Sequence, residues 1–389
     1  MGRWARPENP PVARSEPIPG LVLSGGGARG AYQAGALARI AEGLGEDYPF
    51  RVITGVSAGG INAASLAGSR GRFLQATRDL AAAWLRLTVD KVFKSDFTTL
   101  TWSAVRWLWM LGTGGVTPGF EVRGVLDTEP LYQYLTEALD INGIEANIAN
   151  RRLRALALSA TSYSTGVTVT FVQGVPGIQM WERSRRRAVH ANIGLNHVMA
   201  SAALPLVFPA IQIGDAYYGD GGIRQSSPLA PAIHLGADRL LTVSARYPRT
   251  REEETERQVV GYPPPAQVLG MLMHGVFLDA LENDAERVQR INRTLALLPP
   301  GTRHAEGLQP IRLLVLRPSR DLGKLSASLA GHLPRPLRIL TRGLGAGRTT
   351  SPDFLSYLLF ERPYISRLIE LGYEDAHAQW DKIARFMEG

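Results

Sequence analysis

The 389-residue chain contains no cysteine. Disulfide staples, thiolate metal sites and cysteine nucleophiles are thereby excluded, and the composition suits a reducing compartment. No apolar run approaches the roughly 18 residues that a membrane-spanning helix requires. A soluble or peripheral protein is expected, cytoplasmic or attached to the inner face of a membrane. Residues 1–17 are proline-rich and polar, lack the apolar segment of a secretory signal, and read as a loose N-terminal arm. Zinc-finger spacings, RNP-type aromatics and basic-zipper heptads are absent too, so nucleic acid is not an expected partner. No metal-ligand cluster stands out, and no cofactor is called for.

Of the residues present, 45% are hydrophobic and 20% charged, as in a globular protein with a large core. The formal net charge is +8, supplied mainly by arginine in clusters such as Arg183, Arg185, Arg186 and Arg187, and again Arg335, Arg338 and Arg342. That excess favours anionic partners, an anionic membrane surface among them, although a solvated basic surface explains it equally.

One stretch organises the chain. Arg51 to Thr54 is short, β-branched and glycine-bounded, which predicts a buried strand. It runs through Gly55-Val-Ser57-Ala-Gly59 into the helical composition of Gly60 onward. Such a Gly-x-Ser-x-Gly turn forces its serine into a strained backbone, while Gly55 and Gly59 let strand and helix approach closely. Ser57 Oγ would then project at a helix N-terminus, where free N–H groups favour negative charge. The bland alternative is a serine N-cap.

Upstream, the predicted strand Leu21–Ser24 leads into Gly25-Gly26-Gly27-Ala28-Arg29-Gly30 and a helix over Ala31–Leu44. Strand, glycine loop, helix, strand, nucleophile turn, helix is the order of an α/β fold with a mostly parallel sheet and ligands at the strand ends. The consecutive glycines predict an anion nest of N–H groups. The loop also satisfies the dinucleotide pattern Gly25-x-Gly27-x-x-Gly30. That alternative requires an acidic residue at the end of the next strand, where Ser57 stands instead.

Trp102, Trp107 and Trp109 cluster in a segment, Thr101–Leu111, that suits a lid, an interfacial contact or core. Residues 112–124 predict a glycine- and proline-rich loop. A helix is expected over Leu126–Leu139, strands over Leu153–Ser159 and Thr165–Gln173, and a small-residue helix end at Ala200–Pro209. One strand over Ile211–Tyr218 should deliver Asp220 between glycines at Gly219-Asp220-Gly221-Gly222. Further on, Arg251–Arg257 reads as a charged linker, Ala266–Leu298 as one long helix with an apolar first half, Ile311–Leu316 as a strand, and Ser351–Leu371 and Asp375–Met387 as two helices.

Gly25–Gly30, Gly55–Gly59, Ala200–Pro205 and Asp220-Gly221-Gly222, in that order, resemble the patatin-like phospholipase family over roughly residues 18–246. The resemblance implies a three-layer α/β/α fold with a mainly helical extension, residues 247–389. It further implies Ser57 as nucleophile, Asp220 as its dyad partner, and Gly25, Gly26, Gly27 and Ala28 as the oxyanion site. Arg29 and Gly30 would support the loop, and Gly55 and Gly59 the turn. Phospholipid or another fatty-acyl ester would be the substrate, with no cofactor and no histidine required. A non-catalytic lipid-binding protein is the remaining alternative.

Overall fold

The computed structural model describes residues 17–96, 102, 105, 109, 124–256, 259, 261–299, 308–349 and 353–388. Short apolar runs alternate with small-residue helices through the first half: β1 (Pro19–Leu23), α1 (Gly30–Leu44), β2 (Val52–Val56), α2 (Ala58–Gly68), α3 (Phe73–Arg86), α4 (Val89–Val92), α5 (Glu129–Ala138) and α6 (Asn142–Ala149). The sheet continues with β3 (Ala155–Ser162), β4 (Thr168–Gly174), β5 (Glu182–Arg183) and β6 (Arg186–His190), then α7 (Leu195–Ala202), β7 (Ile211–Ile213) and β8 (Ala216–Asp220). The remainder comprises α8 (Ala230–His234), β9 (Arg239–Val243), α9 (Arg251–Thr255), α10 (Pro265–Phe277), α11 (Asp279–Ala296), β10 (Arg312–Leu316), α12 (Leu322–Leu329), α13 (Arg335–Gly343), α14 (Asp353–Leu358), α15 (Arg362–Ala378) and α16 (Trp380–Glu388).

Strands β10, β9, β1, β2 and β3 are parallel neighbours, as the alternation of strand and helix requires. Period-two packing then builds two cores. Leu21, Leu23, Ile53, Leu156 and Leu158 enter a cluster with α1, α2 and α3, whereas Val22, Val52, Ala155 and Ala157 enter a second one with α8 and α11. The result is the expected three-layer α/β/α arrangement, and the expected strand at Ile311–Leu316 forms its edge as β10.

β3 is the strand that assembles the site. Along one edge it pairs antiparallel with β4 from Ala155 to Thr161. Along the other, its first five residues pair with β2 and its last three with β8, which runs the opposite way. β2 and β8 therefore end facing each other: Val56 lies beside Ser159 and Asp220 beside Ala160.

Several expected elements differ in detail. The single strand over Ile211–Tyr218 is a hairpin, β7 and β8, because Gly214 (φ 59°) turns the chain. The linker Arg251–Arg257 begins as helix α9, nucleated by a capping box in which Thr250 and Glu253 bond each other's backbone N–H. The long helix over Ala266–Leu298 breaks at Leu278 into α10 and α11. Likewise, the helix over Ser351–Leu371 is two helices, α15 restarting at Arg362 with proline in its first turn. That helix runs on to Ala378, so the expected helix over Asp375–Met387 begins only at Trp380 as α16. Residues 1–16 of the arm, Trp107 and residues 112–123 of the loop lie outside the described residues; Trp102 and Trp109 are helical and exposed.

Candidate active site

At the end of β2 the backbone of Ser57 takes φ 56° and ψ −132°, a left-handed conformation rare for a non-glycine residue. Its neighbours impose it. A Cβ on Gly55 would strike the Gly59 carbonyl, and one on Gly59 the carbonyls of Leu23 and Ser24, so strand and helix close tightly beneath the serine. The Ser57 N–H is held at 3.1 Å by the Ser201 carbonyl and at 3.2 Å by Ser201 Oγ, whose own hydroxyl donates to Ser159 O at 2.7 Å. α2 starts directly after Ser57, leaving its hydroxyl at the positive end of the helix.

Asp220, wholly buried at the end of β8, faces it. Its N–H bonds Ala203 O (2.8 Å), its carbonyl accepts from Thr161 Oγ1 (3.0 Å), and its Oδ1 accepts from the Gly222 N–H (2.8 Å). Burial pushes its carboxyl up to about 7, against the opposing pull of the Ser57 hydroxyl and the Gly222 N–H. The serine is thus near enough to favour the charged carboxylate, yet Oδ2 makes no hydrogen bond of ordinary geometry. A looser approach of this kind is common in unliganded sites.

The glycine loop lies alongside. A Cβ on Gly25 would sit 3.0 Å from Ser57 Cβ. The Ser24 and Arg29 N–H groups are engaged by Val243 O and Gly26 O. Among the described residues no hydrogen bond uses those of Gly25 and Gly26, while Gly27 and Ala28 open a 3-10 turn where no intrahelical acceptor exists. Free N–H groups in a loop that abuts a hydroxyl are of the kind that can bind an oxyanion. On the α2 side, Asn62 Nδ2 donates to Gly30 O (3.0 Å) and Gln33 Oε1 (2.9 Å), and Trp84 Nε1 closes the network on Asn62 Oδ1 (2.8 Å).

From the other side, Arg29 reaches out of the loop into α14. Its Nη2 meets Asp353 Oδ1 at 2.6 Å, its Nε donates to Ser356 Oγ at 2.7 Å, and its guanidinium lies 4.7 Å from the Tyr357 ring centroid. Burial opposes the charge, but Tyr357 and Asp353 outweigh it and raise the Arg29 pKa. At Gly27 (φ 56°) the loop passes so close to the Tyr357 carbonyl that any Cβ would collide. Arg29 is thus a brace that points away from the serine.

A channel of almost purely apolar lining opens from Ser57 and Gly27. Ile61, Leu80, Trp84, Val92 and Leu135 form its walls with Phe360, whose ring stacks on Trp84 at 6.5 Å and 9°. The apolar residues of α3 and α4 therefore line the channel as well as the core. Tyr134 stands between this channel and a polar surface basin lined by Arg86, Asp90, Lys91 and Glu137. Its hydroxyl is fixed to Ala83 O at 2.6 Å.

The fold brings Ser57, Asp220 and Gly25–Ala28 together. Neither His234, stacked on Trp181, nor His274, beside Asp279, hydrogen-bonds to Asp220 or Ser57. Ser201 had no role assigned from sequence, although its block, Ala200–Pro205, was a signal: this segment carries the backbone of both Ser57 and Asp220. Asp353 gave no local signal, and Phe277 only its place in the apolar first half of the predicted helix. Phe277 packs within 3.6 Å of a Cβ on Gly25 and closer still to one on Gly222, roofing both strand ends. Among the described residues no group of three His, Asp or Glu side chains is placed to hold a metal. The strand after α1 ends on Ser57 with no ribose-binding carboxylate, so nothing favours the dinucleotide alternative.

A comparison with curated proteins finds no match. Among solved structures the chain is similar to human GIVD cytosolic phospholipase A2 (10% identity, 96% of this chain and 60% of that one, TM-score 0.45). It is also similar to VipD from Legionella pneumophila (12%, 91% and 67%, TM-score 0.33). A third is the ExoU–SpcU complex of the Pseudomonas aeruginosa type III secretion system (17%, 88% and 68%, TM-score 0.29). The chain spans about three fifths of the phospholipase A2 it matches. The sequence pattern described as "Patatin-like phospholipase" matches residues 21–233, more than half of the chain, which belongs to the patatin-like phospholipase family.

Proposed function

We propose that the protein is a serine lipid acyl hydrolase that cleaves fatty-acyl esters, phospholipids or lysophospholipids, at anionic membrane surfaces. Its catalytic unit spans residues 18–246, behind the arm of residues 1–17, with residues 247–389 packed against it. The observation that carries the reading is a strained serine beside a buried carboxylate on the wall of an apolar channel. Family membership supports the same chemistry.

In this mechanism Asp220 takes the proton of Ser57 Oγ as it attacks the ester carbonyl. The N–H groups of Gly25, Gly26, Gly27 and Ala28 hold the tetrahedral oxyanion. Collapse expels the alcohol, which receives the proton from Asp220, and leaves the acyl chain on Ser57 and in the channel. Asp220 then deprotonates a water that attacks the acyl-enzyme carbonyl; the bond to Ser57 Oγ breaks, Oγ recovers the proton from Asp220, and the fatty acid departs. A carboxylate with a pKa near 7 suits both directions of proton transfer.

A fluorophosphonate probe should label Ser57 alone, and Ser57→Ala should lose both labelling and esterase activity. His234→Ala and His274→Ala should keep turnover within about tenfold, or about 1.4 kcal/mol of barrier. Full activity in Ser57→Ala would overturn the proposal, and collapse in a folded histidine variant would replace the dyad by a triad.

A further inference from the structure

Helix α10 is amphipathic in an unusual sense. It holds no Lys, Arg, Asp or Glu from Pro265 to Phe277. Its inner face, with Gly270, Met273 and Phe277, is buried. The outer face is apolar as well: Val268, Met271 and Leu272 are 46%, 64% and 61% exposed and follow one helical stripe. A monomer in water gains nothing by presenting such a stripe, and contiguous exposed apolar surface marks a contact site.

Helix α13 adjoins it, since the Ala266 N–H at the start of α10 bonds Leu344 O just past the end of α13 (2.9 Å). Here Ile339 and Leu340 are 65% and 45% exposed. Arg335 and Arg342 are exposed beside them and Arg338 half-buried. Among the described residues no carboxylate lies within ion-pair distance of any of the three. Apolar side chains flanked by arginines without a carboxylate partner among the described residues match the two layers of an anionic bilayer, acyl boundary and headgroup. No helix of the described residues is long and apolar enough to cross a membrane, so this surface would lie in the interface.

We infer that the exposed apolar stripe of α10, with the exposed arginine-bearing side of α13 whose end meets the start of α10, is the surface by which the protein docks on anionic membranes; this rests on the membrane-active hydrolase reading above. The position of the face gives it a purpose. Phe277, on the opposite side of α10, roofs Gly25 and Gly222 beside Ser57 and Asp220. A bilayer seated on α10 is thereby brought against the catalytic roof, whereas the exposed Trp102 and Trp109 lie on a different segment.

Flotation of the full chain with phosphatidylglycerol and with phosphatidylcholine vesicles tests this. Wild type should float with the anionic vesicles and release as salt rises. Met271→Ser with Leu272→Ser, and separately Arg335→Gln with Arg342→Gln, should each lower the bound-to-free ratio about tenfold or more, with circular dichroism unchanged. The arginine pair is exposed, so folding survives its loss even if the apolar pair fails to fold. Undiminished binding in the arginine variant overturns the inference. So does a wild-type dimer that the variants convert to monomer, which would make the face a contact between copies. Failure of wild type to bind either vesicle instead removes the membrane reading itself.

Discussion

Ser57 occupies a backbone region that costs on the order of 1–3 kcal/mol for a side chain with a Cβ. The hydrogen bonds that its N–H donates to Ser201 O and Oγ hold it there. Asp220 carries a second unfavourable condition, since a buried carboxyl with a pKa raised to about 7 is ionised only at a free-energy cost. In the proposed mechanism Asp220 acts as the base and must be charged, so turnover should climb with pH through about 7. The stability effect has the opposite sign. Asp220 binds its proton more tightly when folded (about 7) than at its ordinary value of 3.8, so its contribution is greatest below the lower value and is lost between the two. The slope in that window is about 1.4 kcal/mol per pH unit. Asp220→Asn should therefore abolish turnover and yet raise Tm relative to wild type by more near pH 8 than near pH 4. Thermal melts of the two proteins at both pH values decide this, and an equal Tm difference would contradict the raised pKa.

Among the helices, α2 and α14 hold the glycine loop from opposite sides, through Asn62 and through Asp353 and Ser356. A loop of small residues has no side chains with which to fix itself, so its donors can be preorganised only by such neighbours. Under the proposed function, helix α5 has the matching role for the acyl chain. Tyr134 separates the apolar channel from the polar basin, pinned by its hydroxyl and covered by Lys91 Nζ at 5.5 Å from its ring. Tyr134→Ala should open the channel end. Each further methylene buried is worth about 0.8 kcal/mol, so specificity constants for p-nitrophenyl esters should go on rising beyond the length at which wild type levels off. Identical chain-length profiles would show that the channel ends elsewhere.

Across the molecule, the C-terminal helices are part of the framework of the site. α15 approaches α1 so closely that a Cβ on Gly35 would strike the Ile369 carbonyl and one on Gly372 that of Tyr32, and the Tyr32 hydroxyl bonds Asp375 Oδ2 at 3.0 Å. β10 closes the sheet beyond β9, and the Arg29 brace ends in α14. Ending the chain before Asp353 should leave an unpaired buried Arg29 and a bare face on α1. Loss of one partner of a buried ion pair alone costs about 3–5 kcal/mol. Such a truncation should be insoluble or lack a cooperative thermal transition. A soluble, folded fragment that still reacts with fluorophosphonate would show that residues before 353 suffice.

How much of this was legible beforehand follows from the range of each interaction. Strand β2, the turn at Ser57, the glycine loop and Asp220 at a strand end depend on residues within a few positions, so spacing and glycine content identified them. The hairpin at Gly214 was missed because the apolar residues on either side of a single Gly-Asp pair read as one strand, and the break at Leu278 because residues of helical composition continue across it from the apolar α10 into the charged α11. What tertiary structure alone decided is where the distant parts meet. The split pairing of β3 sets Ser57 against Asp220 across 163 positions of sequence, Ser201 holds Ser57, and Asp353 binds Arg29 across 324. Burial likewise exists only once the layers close, and with it comes a carboxylate able to act as a base near neutral pH. The sequence by itself determined which groups are available for chemistry, because residue types and short spacings are written in it; packing determined their distances and proton affinities, because both depend on neighbours far along the chain.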